Sequence, residues 1–211
     1  ILNAIAEGKI ESGDEKKLNA LKGETMAVIA LCQFDLTRCF GYPYTKDKGA
    51  SLGAPLIDHL VGTYENPPRS TVAQAYDFII ETLEEAVTLM SEEKNNGRMN
   101  KYAARALLAR IYLYHDDNRK AFDLADQLIK DADTSGSYAL YPHEKYVAAW
   151  SVEAKFGSES FFEIAKSVDD TPGRDSWGYL LNWYGYQKGF VTQKYAEQML
   201  ADPGDVRGQL L

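Results

Sequence analysis

Residues 101–114, KYAARALLARIYLY, are apolar on nearly every side of a helix, interrupted mainly by Arg105 and Arg110. A helix of this kind must be covered on most of its sides. After a short turn at 115–118, residues 119–130 carry a second apolar stripe at helical spacing. Two helices joined by a tight turn form an antiparallel hairpin. The sequence therefore predicts a helical stack with residues 101–114 near its centre.

This hairpin resembles a tetratricopeptide unit, because small residues, Ala109 and Ala121, lie where the two helices must approach closely. The preceding helix pair, over 19–40 and 70–90, is predicted to stack on it as a second unit with a long insertion. We therefore expect a mainly α fold, a tetratricopeptide-like α-α superhelix with long loop-rich insertions. A generic helical bundle is the alternative, since it also uses alanine at helical spacing.

The first helix pair has clear boundaries. Gly41 and Pro43 predict the end of the first helix, and Thr71 with Gln74 predicts a capping box at the start of the second. Within the first helix, apolar residues at spacings of three and four predict a single apolar face: Val28, Ile29, Cys32, Leu36, Cys39 and Phe40.

The two cysteines, Cys32 and Cys39, lie seven residues apart in that helix. Their Cα atoms would be roughly 10 Å apart, beyond the roughly 7 Å limit for a disulfide. We expect them to be buried thiols.

Composition excludes several classes of function. The 211 residues carry a formal net charge of −8, which disfavours nucleic acid as a partner. The longest apolar run, Met26 to Cys32, is much shorter than the roughly twenty residues of a membrane-spanning helix. No targeting signal is visible after Ile1, and we expect the chain to be a piece of a longer protein.

The second half has a different character, with more Gly, Tyr and Trp and shorter helical stripes. We predict a helical scaffold over 19–131 and a loop-rich, ligand-binding region over 132–211, truncated at its C-terminal end. Residues 160–164 (SFFEI) predict a brief strand or an extended segment, and residues 188–200 predict a return to helix.

No pattern typical of catalysis or of a metal site is present. His59, His115 and His143 are far apart and lack the spacing of helical metal ligands. No glycine-rich phosphate loop or nucleophile elbow occurs. Asp202 and Asp205 are interpreted as part of a turn rather than a calcium loop. We therefore expect no cofactor, no metal and no enzymatic activity.

The most distinctive pattern is a cluster of aromatic residues among glycines in RDSWGYLLNWYGYQKGF, residues 174–190. Aromatic faces stack on sugar rings or on peptide side chains, and neighbouring polar groups add directional hydrogen bonds. Alternatively, the rings only fasten the loop to the scaffold. The candidate ligand-binding residues are Arg174, Trp177, Tyr179, Asn182, Trp183, Tyr184 and Tyr186, with Tyr42 and Tyr44 from the insertion over 41–69.

Several segments, in this order, resemble the SusD/RagB family of Bacteroidota outer-membrane lipoproteins: GETMAVIALCQFDLTRCFGYPY, LGAPL, NPPRSTVAQAYDFIIETLEEA, GRMNKYAARALLARIYLYHDDNRKAFDLADQLIK, YAL and ESFFEI. The similarity extends from about 21 to 164, and Asp205-Val206-Arg207 is similar to a later Asp-x-Arg of the family.

The resemblance implies a tetratricopeptide-like scaffold that is tethered to the cell surface by an N-terminal lipid. It also implies a partner, a SusC-like TonB-dependent transporter, over which the protein captures oligosaccharides or, in one branch, peptides. The chain is about half the usual family length and lacks the lipidated cysteine. A tetratricopeptide scaffold that binds only protein partners is a rival of a different class.

Overall fold

The computed structural model describes residues 1–10, 13–57, 59–94, 97–150, 155–165, 169–170, 173–181 and 184–210. Its α-helices are α1 (Leu2–Ala6), α2 (Glu15–Phe40), α3 (Val72–Leu89), α4 (Lys101–Tyr114), α5 (Asn118–Ser135), α6 (Trp177–Leu181) and α7 (Gln193–Leu200). Two short strands, β1 (Leu52–Pro55) and β2 (Arg69–Thr71), form an antiparallel pair. One-turn 3-10 helices occur at Tyr44–Lys46, His143–Lys145, Ala148–Trp150, Gly173–Asp175 and Val206–Leu210.

Helices α2 to α5 pack in chain order, with α2 against α3, α3 against α4 and α4 against α5. The predicted mainly α, superhelical fold with long loop-rich insertions is confirmed. Helix α4 lies in the interior of this stack, as its apolar composition predicted, and its bounds are those expected from the sequence. Side chains from α2, α3 and α4 meet in one core that includes Phe34, Ile79, Leu83, Ala104 and Ile111.

The helix boundaries follow from local chemistry. Thr71 caps α3 through the predicted capping box, in which its hydroxyl accepts from the backbone N–H of Gln74 at 3.1 Å. Helix α2 begins at Glu15, four residues before the start predicted at 19, because the Asp14 carboxylate caps it by accepting from two backbone N–H groups of the first turn. Helix α5 runs beyond the predicted end at 130 and stops at Gly136, which adopts the left-handed conformation with φ 66°.

The buried face of α2 is not the apolar stripe that the sequence displays. The buried residues of this helix are Gly23, Met26, Ala27, Ala30, Gln33, Phe34 and Thr37. On the predicted stripe, Val28, Leu36 and Phe40 are 41%, 40% and 65% exposed. The face that α3 covers combines the small Ala27 and Ala30 with the larger Met26 and Phe34, and the predicted stripe lies on the other side of the helix.

The expectation that Cys32 and Cys39 are buried is therefore wrong. Both thiols are exposed and unpaired, because they belong to the outward face of α2. The absence of a disulfide between them agrees with their spacing along one helix.

The insertion between α2 and α3 is partly ordered by the strand pair. The Arg69 guanidinium donates to the backbone carbonyls of Gly53 at 2.7 Å and of Leu52 at 2.9 Å. From α2, the buried Gln33 amide donates to the carbonyl of Pro55 at 3.0 Å. These bonds attach β1 to the side of the stack.

The loop after α5 returns to the scaffold through aromatic contacts. The Phe161 ring lies 4.6 Å from the Tyr138 ring and 6.2 Å from the Tyr102 ring of α4, measured between centroids. The N–H of Glu163 donates to the carbonyl of Gly97 at 3.0 Å. Residues 160–164 form no strand, and the chain bends at Phe161, so the predicted strand is wrong.

Asp202 forms a turn, as the sequence predicted. Its carboxylate accepts from the N–H of Gly204 at 2.8 Å, and the carbonyl of Gly204 bonds His143 at 2.9 Å.

Within the described parts of the chain, no helix is both long and apolar enough to cross a membrane.

Asp205 and Arg207 form a local ion pair just after this turn. The Arg207 Nε atom lies 2.9 and 3.0 Å from the two carboxylate oxygens. The side-chain hydrogen bonds from Arg207, with help from its backbone N–H, lower the pKa of Asp205 to about 2. The pair's contribution to stability is complete above the unfolded pKa of roughly 3.9 and is lost as the pH falls through about 2.

We expect that Arg207→Gln raises the pKa of Asp205 toward about 4, because the carboxylate loses its cationic donor. Titration of the side-chain carboxyl carbon by NMR measures this shift. Arg119→Gln is the control and leaves the pKa of Asp205 unchanged, because Arg119 pairs with Asp123 instead. An unshifted pKa in Arg207→Gln would mean that another group holds the carboxylate in its charged form.

We expect that Ile111→Ala lowers the free energy of unfolding by about 2–5 kcal/mol, because Ile111 is fully buried in the core and the change leaves a cavity. The same substitution at Ile129, which is 67% exposed on α5, is the matched control and costs at most about 0.5 kcal/mol. Urea denaturation of both variants makes the comparison. Equal losses would contradict the position of α4 at the centre of the stack.

Candidate functional site

The aromatic segment is built on the short helix α6 and the turn that follows it. The Ser176 hydroxyl accepts from the N–H of Tyr179 at 3.0 Å and so caps α6. The N–H of Tyr186 then donates to the carbonyl of Tyr179 at 2.9 Å, and that of Lys188 to the carbonyl of Leu180 at 2.9 Å. These bonds fold the chain after α6 back along the helix.

Most of the described rings of this segment face solvent. Trp177 is 78% exposed, Tyr184 is 91% exposed and Tyr186 is 48% exposed. The half-buried Tyr179 ring packs edge-on against Tyr186, with centroids 5.2 Å apart and an interplanar angle of 81°. Tyr179 therefore supports a neighbouring ring, while the Trp177 and Tyr184 side chains are mostly exposed to solvent.

Of the two polar residues predicted to contact a ligand in this segment, the structure describes only Arg174. Arg174 lies in the 3-10 helix just before α6 and is exposed. Its guanidinium is thus within the same short segment as Trp177. Asn182 and Trp183, the remaining predicted residues of the segment, lie outside the described residues.

Gly185 allows the turn to approach α6 closely. A Cβ atom added to Gly185 would overlap the carbonyl group of Tyr179. Gly178, on α6 itself, has no atom within 4 Å of such a Cβ. The close approach at Gly185 brings the Tyr186 ring against Tyr179, so glycine at this position determines the arrangement of the rings.

The two tyrosines of the insertion lie in a different environment. Tyr42 is 58% exposed, and the Lys46 ammonium lies 3.0 Å from the centroid of its ring. Tyr44 packs on the core, with its ring 5.6 Å from Tyr76 and 4.2 Å from His115. These ring partners belong to the scaffold and none belongs to the segment over 174–186.

A groove of mixed polarity that the sequence did not indicate lies between α2 and the chain entering α4. It has a volume of about 510 Å³, and its walls include Lys16, Glu24, Arg98 and Asn100. Arg98 and Glu24 are paired across it, with Nε 3.0 Å from the carboxylate. Among the described residues that line the groove there is no aromatic ring to provide a stacking surface. Sequence patterns could not reveal it, because its walls come from segments far apart in the chain.

Each histidine has a partner elsewhere in the chain. His59 bonds Glu65 at 2.6 Å, His143 bonds the Gly204 carbonyl, and His115 packs against both Tyr44 and Tyr76. Among the residues that the structure describes, no three His, Cys, Asp or Glu side chains converge as metal ligands would.

The fold and this surface together define a class of protein: an α-α superhelix that carries a loop-rich region with exposed aromatic rings. The SusD-like family, described as starch-binding and associating with the outer membrane, matches residues 1–113. The chain belongs to the SusD-like family.

Solved structures agree with this assignment. The chain is 99% identical, over its whole length, to a SusD superfamily protein from Bacteroides vulgatus, with a TM-score of 0.92. A SusD superfamily protein from Bacteroides thetaiotaomicron is 34% identical over 95% of the chain, with a TM-score of 0.81. A laminarin-binding SusD-like protein is 25% identical over 79% of the chain, with a TM-score of 0.55.

The chain spans less than half the length of these proteins, covering 47%, 44% and 34% of them in turn. A comparison with curated proteins gives no significant match.

We expect that Gly185→Ala separates the Tyr179 and Tyr186 rings, because the new methyl group cannot fit against the backbone of α6. Amide hydrogen exchange at Tyr186, whose N–H bonds the Tyr179 carbonyl, should become at least about tenfold faster. Gly178→Ala is the matched control and leaves this exchange unchanged, since its Cβ has open space. Equal exchange in both variants would contradict the described turn.

Proposed function

We propose that this chain is part of a cell-surface nutrient-binding protein that captures oligosaccharides for import through a SusC-like TonB-dependent transporter. In this proposal the scaffold over 19–131 supports the loop-rich region over 132–211, and the rings of the segment 174–186 form a platform for the sugar. The observation that carries the proposal is the exposure of Trp177 and Tyr184 beside a ring pair that is fixed by backbone hydrogen bonds.

The chemistry of these side chains suits a glycan. An indole ring stacks on the C–H face of a pyranose and buries a large area at small entropic cost. Arg174 can donate several hydrogen bonds to hydroxyl groups from one end of the segment. The family description as starch-binding and the laminarin-binding relative support a sugar as the ligand.

Localisation and partner follow from the family rather than from the site. The family is described as associating with the outer membrane. We place the protein on the extracellular face of that membrane, held by an N-terminal lipid, with the transporter beneath it. In this role the protein binds its cargo without altering it, so no enzymatic activity and no cofactor are proposed.

Two alternatives predict different results. Peptide capture by the same transport system would need acidic groups around the rings to hold basic peptides. A scaffold that binds only proteins would pack these aromatic residues inward. The 78% exposure of Trp177 favours a ligand-binding surface over the second alternative.

We expect that Trp177→Ala weakens oligosaccharide affinity about tenfold in the longer protein, equivalent to ~1.4 kcal/mol, because a stacking face is lost. Isothermal titration calorimetry with starch and laminarin oligosaccharides measures the change. Trp150→Ala is the matched control, since Trp150 is also an exposed indole, at 66%, but lies outside the segment.

Unchanged affinity in Trp177→Ala, or equal losses in the two variants, would remove the rings from the binding site. Binding of basic peptides instead of both glycans, with loss of that binding in Trp177→Ala, would support the peptide alternative.

A further inference from the structure

Helix α2 has two apolar faces on nearly opposite sides. One face packs into the core through Met26, Ala30 and Phe34. The other carries the stripe that the sequence displays: Val28, Ile29, Cys32, Leu36, Cys39 and Phe40. Phe40 is 65% exposed, and Val28 and Leu36 are about two-fifths exposed. A helix that is apolar on both sides is typical of a buried layer and not of a surface layer.

The exposed face of α2 continues into a groove beside the strand pair. Leu36 and Phe40 line this groove with residues 53–55 of β1, Ile57 and Arg69, and its volume is about 410 Å³. Leu52, at the start of β1, is 53% exposed. The apolar surface therefore extends from the helix onto β1. It forms one continuous patch and does not consist of separate apolar side chains.

Helix α5, at the other end of the stack, has a solvated outer face with charged residues, and it serves as a comparison for α2. It exposes Phe122 and Ile129, but charged pairs lie between them. Lys130 pairs with Asp126 at 2.6 Å, and Arg119 pairs with Asp123 at 2.8 Å. A helix at the end of a stack needs such a polar outer face for solubility. On α2 the exposed ion pair Asp35–Arg38 lies beside the outer stripe, and the six apolar residues of the stripe follow one another without a charged residue among them on that face.

We propose that the part of the longer protein outside residues 1–211 packs on the outer face of α2 and fills the groove beside β1. The nearly identical Bacteroides vulgatus protein is more than twice as long as this chain, which covers 47% of it. That protein therefore has a large amount of chain to pack against this half. A covalently linked segment covers an apolar surface without the loss of translational freedom that a separate partner must overcome. Contiguous exposed apolar patches are otherwise an aggregation hazard.

Cys32 and Cys39 lie on this face and serve as natural reporters of its coverage. In the native longer protein carrying Glu81→Cys, we expect both natural thiols to react with a maleimide at least about 100-fold more slowly than after unfolding in urea. Glu81 is exposed on α3, so Glu81→Cys is the internal control and should be slowed by no more than about threefold. Mass spectrometry of the labelled peptides resolves the three positions.

Labelling of Cys32 and Cys39 as fast as that of Glu81→Cys would overturn the proposal. So would protection that decreases when the protein is diluted, since a second copy would then be the covering surface. Protection that requires the transporter would assign the face to that partner and would also overturn it. Protection that is independent of concentration in the isolated protein supports the proposal.

A second pair of variants tests the same face by stability. Phe40 and Phe122 are equally exposed in this chain, at 65% and 64%. In the longer protein, Phe40→Asp should lower the urea midpoint of unfolding by about 1 M or more, because a charge would be buried without a partner. Phe122→Asp should change it little, since its surroundings are already charged and solvated. Equal midpoints in the two variants would contradict the proposal. Its failure would leave the glycan platform untouched, because neither residue belongs to the segment 174–186.

Discussion

Close approach of neighbouring helices is the constraint on which the rest of this structure depends. Alanines with no exposed surface lie where α2, α3 and α4 meet, among them Ala30, Ala75 and Ala104. At Gly23 a side chain is excluded, since an added Cβ would lie 2.6 Å from Met90 and 2.9 Å from the Ala86 carbonyl. Small residues at these positions allow larger ones, such as Ile79 and Ile111, to interdigitate, and interior packing of this density tolerates few voids.

The rigid stack provides a support for segments with little core of their own. The loop after α5 is attached through Phe161, whose ring packs on Tyr138 and Tyr102, and through a backbone bond to Gly97. Further along, the segment 174–186 is ordered by its own hydrogen bonds and by the Tyr179–Tyr186 ring pair. Rings that are held in this local way can remain exposed, and exposed rings are what a sugar or a peptide side chain can stack on.

The two sides of α2 show why hydrophobic periodicity alone does not identify a core. Periodicity reports which residues share a face, but not what covers that face. On α2 the stripe that the sequence displays, from Val28 to Phe40, faces outward, and the face with Met26, Ala30 and Phe34 is buried. A chain that spans less than half of the proteins it resembles is expected to display such surfaces, because a domain core is made by all the segments that enclose it.

The sequence by itself determined helices α2 to α5, several of their ends and the family, but it predicted neither α1 nor the short α6 within the aromatic segment. Capping at Thr71, the bounds of α4 and the α4–α5 hairpin depend on interactions within a few residues, so local patterns were sufficient to predict them. The sequence also located the aromatic cluster, since glycines among Trp and Tyr are visible without coordinates. Only the tertiary structure decided that Cys32 and Cys39 are exposed, that Tyr44 packs on Tyr76 and His115, and that a groove of mixed polarity lies between α2 and the start of α4. These features depend on contacts between residues far apart in the chain, and such contacts leave no periodic signal in the sequence of either partner.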